Sequence, residues 1–222
     1  MTCSICNELL GLTQYNRFQQ SNKFGLKNAF LYKDDHFCVI PSIGALENGH
    51  CLIVPTVHCN SLLNYVENLG KQQELHKLLI KMADRLVVDS NMTLLCFEHG
   101  SFSNEVNHSL CSTTHAHLHI LPINNRHINN ILQNIPGADF DEIVGINDIV
   151  NEAKRFNDYI IIFSFRDGKF KQHKVLNSEL LPTQYIRKII GNELKNNNWD
   201  WKVNNDNSHT DETIENFVLS VS

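Results

Sequence analysis

Two periods of hydrophobic and polar residues divide the chain into elements. Over residues 69–89, Leu75, Leu78, Leu79, Met82 and Leu86 recur three and four positions apart with Lys, Gln and Glu between them, which predicts an amphipathic helix. Residues 29–33 and 37–41 read as short strands around an Asp34-Asp35 turn, so they pair as a hairpin. A loop over 42–48 holds Gly44, and Gly49 leads into an apolar strand over 50–55. Residues 92–97 predict a further strand. Glu98-His99-Gly100 then turns the chain into a polar loop reaching 110, with Gly100 permitting a tight exit. Beyond 124, Asn-rich loops separate helices predicted over 128–135 and 141–156 from a hairpin of 159–165 and 170–175, turned by Asp167-Gly168. A last helix is predicted over 178–194, with Ser178 as N-cap and Pro182 in its first turn. Trp199-Asp200-Trp201 follows, and two indoles flanking an acid predict burial.

One strand departs from ordinary patterning. Residues 114–122 read Thr-His-Ala-His-Leu-His-Ile-Leu-Pro, and a period of two places His115, His117 and His119 on one face with Ala116, Leu118 and Ile120 on the other. Two chemistries use such a row: a metal cage, or a nucleophile with supporting imidazoles. A catalytic cage also calls for a carboxylate, for which Glu98 is the obvious candidate. Cys3-Ser4-Ile5-Cys6 has the spacing of a zinc half-site. Two cysteines cannot close a tetrahedron, so the alternatives are two further ligands from elsewhere or a pair of buried thiols.

Composition narrows the classes. With 222 residues, 42% of them apolar, the chain can bury a real core as one large or two small domains. Its seven cysteines are an odd number, and with no secretory leader pattern they read as reduced thiols and not as a disulfide framework. No apolar run approaches the roughly 18 residues of a membrane span, so a cytoplasmic location is expected. A net charge of −5 argues against a nucleic-acid polymer as partner, although a local pocket can still take a small phosphorylated ligand.

Four stretches together resemble the histidine-triad (HIT) family, in its microbial zinc-containing type. They are the alternating histidines of 115–121, the strand Gly49-His50-Cys51-Leu52-Ile53-Val54-Pro55-Thr56-Val57-His58, the Cys3/Cys6 pair, and Ser112 three residues before the first triad histidine. The resemblance covers residues 1–124 as a catalytic domain and leaves 125–222 as a C-terminal extension packed on it. It implies an α+β fold, a HIT-like antiparallel sheet flanked by helices with a C-terminal α/β extension, and a homodimer. The implied activity is that of a nucleotide hydrolase or nucleotidyl transferase acting through a nucleotidyl-histidine intermediate. His117 would attack the α-phosphorus, its other nitrogen donating to a backbone carbonyl. His119 would bond the phosphoryl oxygens or the leaving group, with Ser112 adding a contact. His50 would be a fourth active-site histidine and His99 a neighbour of the phosphate. A structural zinc would be held by Cys3, Cys6, His58 and His115.

The third triad position is His and not Gln, which favours the hydrolase-type branch over hexose-1-phosphate nucleotidylyltransferases. Pro41-Ser42 stands where many members carry a ribose-binding Asp, and Glu47 is the substitute weighed. If the tail folds over the site, Arg187 offers a planar fork to phosphate and a Trp indole a stacking surface for a base. Otherwise Arg187 is a surface helix charge and the tryptophans fill a small core. Two further readings stay open: a non-catalytic nucleotide sensor or scaffold, and a metal-dependent hydrolase using the three histidines as ligands.

Overall fold

The computed structural model describes residues 3–12, 30–103, 115–137, 142–204 and 206–219. Ser112 and most of the polar loop before it lie outside the described residues. The fold is α+β, built on an antiparallel sheet flanked by helices.

The first half of the sheet comes from β1 (Tyr32–Lys33), β2 (Phe37–Pro41), β3 (Cys51–Pro55), β4 (Met92–Ser101) and β5 (Leu118–Asn124). The second half comes from β6 (Glu142–Val144), β7 (Asp158–Arg166) and β8 (Lys169–Asn177). Their spatial order is β1-β2-β3-β5-β4-β7-β8-β6, one sheet of eight antiparallel strands. β7 pairs with β4 from Leu94↔Phe165 to Ser101↔Asp158, so the tail continues the same sheet past residue 124. β7 and β8 form the predicted hairpin. Asp167 (φ 50°) and Gly168 (φ 70°) make a two-residue turn whose left-handed geometry matches strand twist.

Helices cover both faces. α2 (Leu62–Tyr65), α3 (Leu69–Leu86) and α5 (Ile146–Ala153) pack on one, where Leu63, Leu79, Met82 and Ile149 meet Leu94, Cys96, Leu118 and Ile120. α3 begins at its Asn68 cap, whose Oδ1 accepts from Gly70 N at 2.8 Å, and buries the predicted face through Leu75, Leu78, Leu79 and Met82. α4 (Asn125–Gln133) and α6 (Tyr185–Leu194) cover the opposite face, placing Ile131, Ile186 and Ile190 against Leu95, Phe97, Leu121 and Ile123. α1 (Ser4–Leu9) lies at the β2–β3 side with Cys3 and Ile5 against Cys38, Ile40 and Val54, and α7 (Ser208–Leu219) closes the described chain. Among the described residues no helix is long and apolar enough to cross a membrane.

Three elements besides the triad strand differ from the sequence reading. The helix expected over 141–156 is shorter, because Ile143 and Val144 pair with Lys171 and Phe170 on β8 before Gly145 starts α5. The helix expected from Ser178 begins seven residues later. Leu181 precedes Pro182, which disfavours the α region there, and Leu181 N bonds back to Ser178 O in a turn at 3.0 Å. α6 starts only after Gln184, held at φ 61°. Finally, Glu98-His99-Gly100 is no turn but the continuation of β4, paired with Ile161, Ile160 and Tyr159. Gly100 is needed because the Tyr159 ring fills the space a Cβ would take.

Candidate functional site

The extended β4 decides which side chains reach the site. Along β4, Phe97 and His99 face α6, while Glu98 points through the sheet toward α2. There its carboxylate accepts from Leu62 N (2.6 Å) and Tyr159 Oη (2.7 Å), and burial pushes its pKa up to about 7. Glu98 is therefore a buried helix-end acceptor, with both oxygens engaged away from the histidines.

The triad row also divides. β5 starts at Leu118, and the ring of His115 turns away to the thiols of α1. Its Nε2 donates to Pro55 O at 2.9 Å, which leaves the Nδ1 lone pair 3.4 Å from Cys6 Sγ and 3.7 Å from Cys3 Sγ. His58 Nδ1 lies 3.3 Å from Cys6 Sγ. Zinc bonds of about 2.3 Å to sulfur and 2.0–2.1 Å to nitrogen imply tetrahedral S···N edges of about 3.6 Å. Cys3, Cys6, His58 and His115 thus form a donor set of the right chemistry and spacing for a metal ion, their ligand atoms all within 4.8 Å of one another. Among the described residues no other such group of three or more occurs, and this one excludes His117 and His119. A catalytic cage of three histidines is not what the geometry builds.

His117 and His119 line a small cavity between the sheet and α6, together with Phe97, His99, Gln184 and Arg187. The hydrogen bonds assign their tautomers. His117 Nδ1 lies 2.8 Å from the carbonyl of His115 and must donate to it, so its Nε2 carries a lone pair. Leu46 N donates to His50 Nδ1 at 3.1 Å, which puts the His50 proton on Nε2. That proton goes to His119 Nδ1, 3.0 Å away, and His119 in turn carries its own proton on Nε2. Phe97 stacks flat on the His119 ring, centroids 4.3 Å apart and 7° from parallel, and fixes its plane.

Burial holds these rings neutral. It lowers the pKa of His50, His117 and His119, and the Arg187 charge lowers each further. His99, beside the same cavity, is pushed down to about 4 by burial and by His117.

Arg187 is buried and belongs to no surface. Its Nη2 donates to Gly44 O (2.6 Å) and Asn198 O (2.9 Å), its Nε to Trp199 O (3.1 Å) and its Nη1 to Ser42 Oγ (3.1 Å). It ties the 42–44 loop to the turn over 197–199, where Gly44 makes room for Trp201 Cβ, 2.8 Å from where a side chain would begin. Among the described residues no ion pair neutralises it, and burial lowers its pKa to about 10. A cation held by carbonyls beside a cavity favours an anion within it. The first turn of α6 lines the same cavity, and no side chain caps it.

The sequence reading thus placed His117, His119, His99 and Arg187, which the fold brings to one cavity, with His50 directly behind. Ser112 lies outside the described residues. Glu47 does not reach this cavity: its Oε1 accepts from Asn48 N at 3.0 Å beside a separate one near α7. Neither tryptophan lines it either, since Trp199 packs into the α4–α6 core. Gln184 and Phe97 line the cavity without having been singled out for it. A bulky ring two positions before His99 in β4 is the only signal the sequence offers for Phe97.

A family model described as "Protein similar to CwfJ C-terminal" matches residues 32–136. No curated protein sequence matches the chain. Among solved structures, a member of the HIT family of proteins from Bacillus subtilis is 19% identical over 57% of this chain and 76% of its own, with a TM-score of 0.37. A hypothetical protein from Leishmania major is 18% identical over 69% of this chain and 92% of its own, TM-score 0.39. A hypothetical histidine triad nucleotide-binding protein from Sulfolobus tokodaii is 16% identical over 87% and 93%, TM-score 0.33.

Proposed function

We propose that the protein cleaves or transfers a nucleoside monophosphate, acting at the α-phosphate through a nucleotidyl-histidine intermediate on His117. One observation carries the reading: His117 and His119 line one cavity with Nε2 atoms of opposite character, a lone pair on His117 and a proton on His119. A neutral imidazole is a competent nucleophile, and its partner can donate to the oxygens or the leaving group where charge builds up. The buried Arg187 and the uncapped end of α6 add a field that favours a phosphoryl group there.

In the proposed sequence the His117 lone pair forms a P–N bond as the bond from phosphorus to the leaving group breaks. The hydrogen bond from His119 Nε2–H stabilises the leaving group as it departs with the electron pair of the broken bond, and any proton it needs comes from solvent. Water then attacks the same phosphorus and releases its proton to solvent, the P–N bond breaks back to His117, and the nucleoside monophosphate departs. An acceptor other than water gives transfer. Ser112 adds a phosphoryl contact by the sequence resemblance alone.

Cys3, Cys6, His58 and His115 would hold a structural zinc, closed to substrate by its four protein ligands. It would tether α1 to the residue whose carbonyl orients His117. A homodimer follows from the resemblance, and because β4 and β5 are both paired within the chain, a sheet continued into a second copy would have to use β1 or β6.

Mass spectrometry of the intact protein, mixed briefly with dinucleoside polyphosphates or nucleoside phosphoramidates, tests the reading. The expected product is a monophosphate adduct on a histidine, absent from His117→Ala. An adduct that persists in His117→Ala removes His117 as nucleophile, and tight binding with neither adduct nor turnover points to a nucleotide sensor.

A further inference from the structure

Gln184 combines features that ordinary packing does not call for. It sits immediately before α6 at φ 61° and ψ 17°, a left-handed conformation that non-glycine residues seldom keep without reason. It lines the cavity shared by His117, His119 and Arg187. Its Nε2 donates to Asp200 Oδ1 at 3.2 Å. Because a carboxylate only accepts, that bond settles which end of the amide is which, and leaves the carbonyl oxygen on the other side. Oε1 is buried and has no hydrogen-bond partner among the described residues. A desolvated acceptor left unpaired is unfavourable unless something else in the working state donates to it.

Resting on the phosphoryl-transfer reading, we infer that Gln184 is a specificity-determining residue whose Oε1 accepts a hydrogen bond from a hydroxyl of the sugar that carries the phosphate. Asp200 is its positioning residue. The cavity encloses about 40 Å³, and since a single water needs about 10–15 Å³ of such space, it encloses a phosphoryl-sized group while the nucleoside extends out through its open side. The donor that meets Oε1 must therefore lie close to phosphorus. In a nucleoside 5′-monophosphate the ribose hydroxyls are the nearest donors, a few bonds away, whereas those of the base lie at the far end.

Calorimetric titration of the full chain with AMP, GMP, CMP and UMP identifies the tightest ribonucleotide, and its 2′-deoxy and 3′-deoxy analogues then locate the hydroxyl. One of the two analogues is expected to bind about tenfold more weakly than the ribonucleotide, the effect of one lost hydrogen bond that strands a buried acceptor. Gln184→Leu should bring that ratio close to one without weakening the analogue, and Asp200→Asn, which frees the amide to flip, should reduce it partway. Wild-type protein that binds all three alike overturns the inference and leaves the phosphoryl-transfer reading standing. So does discrimination that survives Gln184→Leu. Failure of all four ribonucleotides to bind overturns both. Should Gln184→Leu not fold, the wild-type comparison of the three nucleotides decides alone.

Discussion

His50 Nε2 lies 3.0 Å from His119 Nδ1, and this contact determines which nitrogen of His119 meets the cavity. The chain of donors from Leu46 N through His50 ends on a proton pointed at the site. His50→Ala removes the link, and His119 becomes free to present either nitrogen. Turnover is expected to fall by at least about tenfold, a fraction of the roughly 10²–10³ that one preorganised hydrogen-bond donor contributes. Steady-state rates should show the loss in kcat more than in KM, with near-native circular dichroism. An unchanged kcat would remove the relay.

Arg187 holds two loops together by donating to four carbonyls and a hydroxyl. Arg187→Met strands those acceptors inside the protein and is expected to cost about 3 kcal/mol or more, as loss of one partner from a buried charged network does. Arg187→Lys keeps the charge but cannot span the same acceptors, and should recover only part of the stability. Urea denaturation measures both. A full recovery by lysine would show that charge and not the fork matters.

Removing metal should loosen the N-terminal segment. About one zinc per chain is expected by elemental analysis, lost when Cys3 and Cys6 are both changed to Ser. The double variant and the chelated wild type should melt at lower temperature. Zinc that stays bound in the double variant would mean that the histidines hold it without the thiols.

Glu98 makes stability depend on pH in the direction opposite to most carboxylates. Its folded pKa is raised from the ordinary 4.5 to about 7, because burial disfavours the charged form. Folding therefore favours the protonated acid. Its contribution is most favourable below pH 4.5 and declines as pH rises, levelling off above about 7. A rise from 4.5 to about 7 corresponds to a decline on the order of 3 kcal/mol across that window. Glu98→Gln should abolish this slope while still accepting from Leu62 N. Denaturation at pH 5 and pH 7.5 checks it: the stability gap between wild type and variant should shift in favour of the variant at the higher pH, and a constant gap would contradict it.

The sequence alone determined what depends on neighbours along the chain. The spacing of α3 and the Asp167-Gly168 turn are local patterns, and local backbone preference is enough to realise them; the alternating histidines were legible as a row, but where β5 starts and which way His115 turns were not. Cys3 and Cys6 were legible as a zinc half-site from their spacing, and His58 and His115 only through the family resemblance. Tertiary structure decided the rest. Whether Glu98 faced the histidines depended on β4 running on to Ser101, which it does because β7 offers a partner that far. The start of α6 depended on Pro182 and on the turn back from Ser178, and that start set Gln184 and Arg187 against the cavity. The buried guanidinium, the stranded amide oxygen and the tautomer of His119 all arise from contacts between residues more than ten positions apart, or from the lack of one. Such contacts exist only once the sheet has brought both halves of the chain together, because the charge, burial and free valence of a side chain are set by what surrounds it in space and not by what precedes it in sequence.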